Sequence, residues 1–510
     1  MATLGLYWRT LRHLTPRQVI YQVWNRLRSR PRLQWGGGDP AGNVPGIPFP
    51  VTFTFLNQSV TFTDRIDWNY AANGKLWTYT LNYFEQLNES EYGLALIHDF
   101  IRQTDALVDG LEPYPTSLRV LNWRAFLLHD TIRDSVIERH LYAQTALLHS
   151  RLEYHLGGNH LLENACALTI MAIHFQHRLW FFEGINLLRA QLDEQILQDG
   201  GHYERSPVYH QLLTDRLLDV YSVLMSNRWV NDQNLIRYVQ EKTAAMLDWL
   251  VSVTFRDGSV PMVNDAAYGV APTTAELLDK AKTLNFRPVP ALLSDSGYRM
   301  LTTPRFELFI DVGPVGPAHQ PGHAHADTFS FVLHVDGKPF VVDPGTSTYQ
   351  IGEQRSWERS TAAHNTVTVA DKNSSEVWSG FRVGRRAQVR ILVDTPHCVE
   401  AVHDGYAHLG EYHTRQWKFV DDATLSIYDS FYNNNLTKKS NLYFDHCISL
   451  TTQQNVVKSM DCDILFMNEQ ALSVNLSNYN QAVGFNFTRL ASRVTLDIST
   501  ALTALFTARL

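Results

Sequence analysis

The chain has 510 residues, 45% of them hydrophobic and 19% charged, enough ordinary globular sequence for roughly two to four domains around a large core. Its formal net charge of -7 argues against nucleic acid as a partner, and its four cysteines (Cys166, Cys398, Cys447, Cys462) are scattered, without the CxxC spacing of a metal or redox motif. No apolar run approaches the ~18 residues of a membrane-spanning helix, so no integral membrane segment is expected.

The segment from Trp8 to Arg32 is basic and amphipathic, carrying Arg9, Arg12, Arg17, Arg26, Arg28, Arg30 and Arg32. It reads either as a surface for a membrane or partner, or as the solvated face of a terminal helix. Early arginines, with no apolar h-region or small-residue cleavage site, argue against a signal peptide. The expectation is a cytoplasmic protein, with peripheral membrane association as an option. A Gly/Pro-rich loop (Gly36 to Pro40) and the β-like run Val51–Phe55 complete a mixed segment over residues 1–70.

Residues 71–290 are helical in texture. Leu141, Leu148, Leu152 and Leu156 keep to one helix face, and Leu212, Leu213, Leu217 and Leu218 are spaced alike. Ser206-Pro207 opens one helix and Asp199-Gly200-Gly201 closes another. Helices in series without a strict repeat predict a toroid of helix pairs. From 291 to 510 the texture is β. Phe329, Phe331, Leu333 and Val335 alternate with other residues, Asp336-Gly337-Lys338-Pro339 is a hairpin turn, and Ala387 to Val393 is another strand. Many short strands with turn signals predict an antiparallel sandwich, with the boundary in 285–297.

Three clusters could carry chemistry. In the β region, Gly322-His323-Ala324-His325-Ala326-Asp327 is followed by Asp343-Pro344-Gly345 and Ala363-His364-Asn365-Thr366. His325, Asp343 and His364 lie on three strand-like segments that could meet as metal ligands, or could make buried structural hydrogen bonds. His323 and His325 are two apart and face the same side of a strand. In the helical region, Asn159, His160 and Glu163 follow Gly157-Gly158. His160 and Glu163 share a face, while Asn159 could equally be an N-cap. The third cluster, Gly201 to His210, holds Tyr203, Glu204, Arg205 and Tyr209 at a helix entry. Tyr209 is a general acid or base if nearby cations act on it, and otherwise a packed aromatic. The patch Ser117 to Trp123, with Arg119, Asn122 and Trp123, could line a sugar groove or belong to the core. The aromatic fraction, 12%, carries the same two readings.

Taken in order, these pieces resemble the heparinase II/III family of polysaccharide lyases. The resemblance runs from Asp67-Trp68-Asn69 to beyond Arg359-Ser360-Thr361-Ala362-Ala363-His364. It implies an incomplete (α/α) toroid followed by an antiparallel β-sandwich, and β-elimination on a uronic-acid polysaccharide by a carbon–oxygen lyase. It further implies that Asn159 and His160 neutralise the uronate carboxylate and that Tyr209 and His323 are catalytic. Tyr349 is implied as a second active-site tyrosine, Glu163 as a carboxylate beside the histidine, and His325, Asp343 and His364 as ligands of one structural zinc. The partner implied is an anionic polysaccharide or oligosaccharide bound at an interdomain cleft, and Glu163, Arg119, Asn122, Trp123, Tyr203 and Arg205 are the expected substrate contacts. The segment Leu11 to Gln18 resembles members thought to accompany polysaccharide assembly, so the family name does not set the substrate. The competing expectations are a glycoside hydrolase on a similar toroid and a non-catalytic glycan-binding protein. Sequence sets neither the sugars nor the oligomeric state.

Overall fold

By density of contacts the chain divides into two units. One holds Thr15–Gln195 and Arg216–Gln240, and the other Met1–Leu14, Ile196–Asp215 and Glu241–Leu510. The computed structural model describes residues 4–35, 46–87, 90–129, 131–319, 321–432, 435–468 and 473–509. The Gly36 to Pro40 loop lies outside the described residues.

The first unit is helical. Lys75–Tyr83, Pro113–His129 and Gly158–His174 pack in sequence against one another, while Ser90–Gln103 packs on Ser135–Ser150 and Arg178–Gln195 on Gly158–His174. These are the two layers of an incomplete (α/α) toroid. Local sequence sets the ends of its helices. Asp134 caps Ser135–Ser150 by accepting from the backbone N–H groups of Val136 and Ile137. That helix stops at Ser150, so Leu152 and Leu156 fall beyond it, although their spacing continues its apolar face. The basic segment forms two helices, Leu4–Leu11 and Pro16–Leu27. Thr15 breaks them and starts the second with a capping box to Gln18.

In the second unit, an eight-stranded antiparallel sheet has His413–Asp421, Thr424–Phe431, Ala501–Ala508 and Cys462–Met467 as adjacent inner strands. Burial alternates along them with period two, as a half-buried strand requires. Two four-stranded sheets complete the sandwich. One contains Phe306–Asp311 and Phe331–Val335, the other Lys438–Tyr443 and Phe487–Ile498. A shared core draws Trp417, Ile427 and Phe506 from the large sheet and Phe306, Leu333, Val494 and Leu496 from the smaller ones.

Phe331–Val335 departs from the expected alternation, being buried throughout. Trp249, Val253 and Phe255 cover its other face at Val332, and His334 stacks on Phe255 at 3.8 Å. Residues 241–290, assigned to the helical region on texture, thus pack with the β unit.

Candidate active site

Two residues in left-handed conformation shape the entry to the helix Pro207–Ser226. They are Arg205 (φ 58) and Asn264 (φ 57). Strained backbone of this kind persists where surrounding contacts enforce it. Here the carbonyl of Arg205 accepts from Asn264 Nδ2 and Tyr298 Oη, and Ser206 Oγ donates to the carbonyl of Asp265. Pro207, which has no N–H to leave unpaired, then starts the helix and puts Tyr209 in its first turn.

Tyr209 meets two side chains of the candidate site. Its hydroxyl lies 3.1 Å from that of Tyr349, and its ring lies 4.0 Å from the His323 imidazole, centroid to centroid. His323 Nδ1 sits 2.9 Å from Asp265 Oδ2, and His323 Nε2 is 3.9 Å from a Glu204 carboxylate oxygen. The other Asp265 oxygen is 2.9 Å from His325 Nε2, and Arg355 grips both oxygens through its two terminal nitrogens. Burial alone would raise the Asp265 carboxyl, but Arg355 and the hydrogen bonds from His323, His325 and Arg355 hold it well below the usual carboxylate range. An ionised Asp265 fixes the Nδ1–H tautomer of His323, which turns Nε2 into the nitrogen that exchanges a proton. Two phenols and an oriented imidazole in contact make a proton-transfer set.

Asp265 and Arg355 were not expected from sequence. Asp265 stands in the irregular stretch Val263-Asn264-Asp265, and only its contacts mark it. Arg355 lies on the short helix Glu353–Glu358, with its guanidinium 5.0 Å from the Tyr349 ring and 5.1 Å from that of Phe381.

The metal candidates lie behind this set. His325 and His364 are fully buried with ring centroids 5.3 Å apart. Each has one nitrogen backed by a carboxylate, His325 by Asp265 and His364 Nδ1 by Asp343 at 2.7 Å. Their other nitrogens, His325 Nδ1 and His364 Nε2, are buried without a hydrogen-bond partner, as is Asp327 Oδ2. Imidazoles backed in this way are the arrangement that metal ligands take, so the donors fit a cation. Asp343 has one oxygen on His364 and the other on the N–H of Gly345, which is the position of an orienting group. Burial pushes Asp327 up to about 6, with His364 opposing and Asp343 adding to the shift. Among the described residues, three ligand atoms come within 4.8 Å of one another at Asp445, His446 and Cys447 rather than here. In that group Asp445 is buried and Cys447 exposed, and His446 is engaged on both nitrogens, Nδ1 3.4 Å from Asp445 Oδ2 and Nε2 2.9 Å from Arg489.

In the helical unit, Gly157 and Gly158 both have positive φ (67 and 60), and this turn opens the helix Gly158–His174. The cap is Gly157, so Asn159 is not the N-cap but stands, buried, in the first turn. His160 keeps about a third of its side chain exposed (31%), tilts against the Tyr114 ring at 4.2 Å, and has Glu153 Oε1 3.3 Å from Nδ1. Glu153 also accepts from Asn164, which donates to Ser117 as well. The carboxylate at His160 Nδ1 is therefore Glu153, while Glu163 accepts from Arg216 at 2.6 Å.

Three expected substrate contacts are corrected. Arg119 is fully buried and donates to Gln144, Thr116 and the carbonyls of Asn82 and Gly110, a brace between helices. Trp123 is core, packed edge-on to Phe84 and Phe100. Arg205 is buried and donates to the carbonyls of Ser296, Tyr203 and Asp295. Tyr203 is buried between His202 and His319, and Asn122 is half-buried, donating to the Tyr83 carbonyl.

A helical toroid and an antiparallel sandwich, each with a polar cluster of this kind, define a class found among known proteins. Residues 117–284 match the heparinase II/III N-terminus model and residues 287–493 the heparinase II/III-like, C-terminal model. Together these span well over half of the sequence, and the chain belongs to the heparinase II/III family. A heparin-sulfate lyase of Bacteroides stercoris is 24% identical over 318 residues, covering 54% of this chain and 44% of that protein. The FtsZ-localized protein C of Caulobacter vibrioides is 29% identical over 249 residues, covering 46% and 41%. The chain thus spans less than half the length of these relatives. A crystal structure of heparinase III superposes with a TM-score of 0.68 at 14% identity, covering 96% of this chain and 89% of that one, which establishes the shared fold.

Proposed function

We propose that this protein is a polysaccharide lyase that cleaves a uronic-acid glycan by β-elimination. The observation that carries the reading is the contact of Tyr209 with both Tyr349 and the Asp265-oriented His323. The uronate C5 proton is weakly acidic because the adjacent carboxylate is already negative. Asn159 and a protonated His160 would neutralise that carboxylate and stabilise the enolate-like intermediate, with Glu153 Oε1 3.3 Å from the imidazole Nδ1. Tyr209 or His323, according to the stereochemistry at C5, takes the proton, and a phenol protonates the departing O4. The C5–H and C4–O bonds break, C4=C5 forms, and no water is consumed.

The zinc assignment belongs to the same proposal. His325 and His364 would hold the ion, with Asp343 orienting the His364 ring through Nδ1, and the ion would supply a structural cross-link within the sandwich. The substrate class proposed is an anionic exopolysaccharide or glycosaminoglycan-like chain. Incubation with a panel of uronate polysaccharides tests the reading. Ultraviolet absorbance from an unsaturated uronate product is expected, whereas new reducing ends without that absorbance would identify a hydrolase.

A further inference from the structure

The helix Pro16–Leu27 is amphipathic the wrong way round. Val19, Ile20, Val23, Trp24 and Leu27 are each 45–77% exposed. At 100° per residue they occupy one stripe roughly 140° wide. The buried side instead carries Gln18, with Asn25 2.9 Å from His155 Nδ1. The polar face of this helix packs on its own unit, and its apolar face meets solvent. A stripe of this size on a well-capped helix marks an interaction surface.

Charge identifies the occupant. The first 38 residues hold seven arginines and no acidic residue, in a chain with 44 basic and 51 acidic side chains overall. Arg26 flanks one edge of the stripe; at the other edge Arg17 stacks 3.7 Å over the Tyr154 ring, and Arg28, just past the helix, donates to the Ser150 carbonyl. The stem of the exposed Arg26 can lie along an apolar layer while its guanidinium group reaches anionic headgroups. Trp24 supplies the amphipathic ring favoured at such boundaries, with Arg28 5.3 Å above it. Beside the helix, a groove of about 350 Å³ is lined by Ile20, Trp24, Leu152, Tyr154 and Arg28, an apolar and cationic mixture suited to an anionic amphiphile. Five side chains are far fewer than the ~20–30 per side of a stable protein interface, which disfavours a second copy. Among the described residues no helix is long and apolar enough to cross a membrane, so the contact is with a surface.

We infer that Pro16–Leu27 docks this protein on an anionic lipid surface by its outward apolar face. The inference does not rest on the lyase reading. Co-sedimentation of the full chain with phosphatidylcholine vesicles, with and without phosphatidylglycerol, tests it. Binding to the anionic vesicles that weakens as salt is raised is expected. The double variant Ile20→Ser/Leu27→Ser should bind at least about tenfold less, with its melting curve unchanged because both residues are exposed. Arg26→Gln should lower the preference for phosphatidylglycerol. Absence of vesicle binding, or equal binding to both vesicle types, would overturn the proposal. So would self-association in analytical ultracentrifugation that the double variant abolishes while vesicles have no effect, which would assign the face to a second copy.

Discussion

Asp265 and His323 are joined twice, by the carboxylate at 2.9 Å from the imidazole Nδ1 and by the Asp265 N–H donating to the His323 carbonyl at 3.1 Å. Side chain and backbone together leave the imidazole one orientation. In Asp265→Asn the amide no longer fixes the tautomer and the buried Arg355 loses its countercharge. The kcat of the proposed elimination should fall by about a thousandfold or more, and stability by roughly 3–5 kcal/mol, checked by initial rates and by thermal denaturation.

Tyr209→Phe removes the hydroxyl and keeps the ring against His323. The expected loss in kcat is about a hundredfold to ten-thousandfold with little change in melting temperature. Tyr349→Phe should give a smaller loss if its hydroxyl only positions that of Tyr209. Equal rates for wild type and both variants would refute the assignment of these phenols.

Elemental analysis of purified protein should find about one zinc per chain. His364→Ala should lose the ion, and a chelator should lower the melting temperature of wild type but not of this variant. A wild-type protein that is fully folded and free of zinc would refute the metal assignment.

Arg119→Met separates a brace from a substrate contact. Removing its buried hydrogen bonds should cost about 3 kcal/mol or more in the stability of the helical unit. The KM of the folded fraction should stay near the wild-type value. A raised KM at unchanged stability would restore the substrate role.

His140 and His210 are buried neutral, and burial lowers both to about 3, with Arg119 adding to the shift at His140. Unfolded histidine binds a proton near pH 6.5, so below that pH the unfolded chain takes up protons that the folded one does not. Stability is therefore complete above about pH 6.5 and is lost as pH falls toward the folded values. The loss is roughly 2 kcal/mol per histidine by about pH 5. Calorimetry across this range should show the decline, and His140→Gln should shallow it.

Much of the architecture was legible because apolar spacing reports directly on helix faces and strand alternation. The spacing misled where it ran past a boundary, as at Leu152 and Leu156, or where both faces of a strand are covered, as at Phe331–Val335. Histidines and tyrosines at helix entries and between short strands drew attention by type alone. Asp265, Arg355 and Glu153 did not, since each acts across 58 residues, 90 residues or a loop, and nothing local distinguishes it from an ordinary turn or helix residue. Arg119 misled in the opposite sense. An arginine fully enclosed among helices has the same local spacing as one lining a groove.

The shared carboxylate of Asp265 has a consequence for how this protein can vary. Its two oxygens serve histidines that are two positions apart but have different tasks, so neither histidine can be replaced and later compensated independently of the other. The effects of substitutions at 323 and 325 should be non-additive while Asp265 is present and should become independent once it is removed. The acid, its arginine and both imidazoles then respond to substitution as a single unit of four residues.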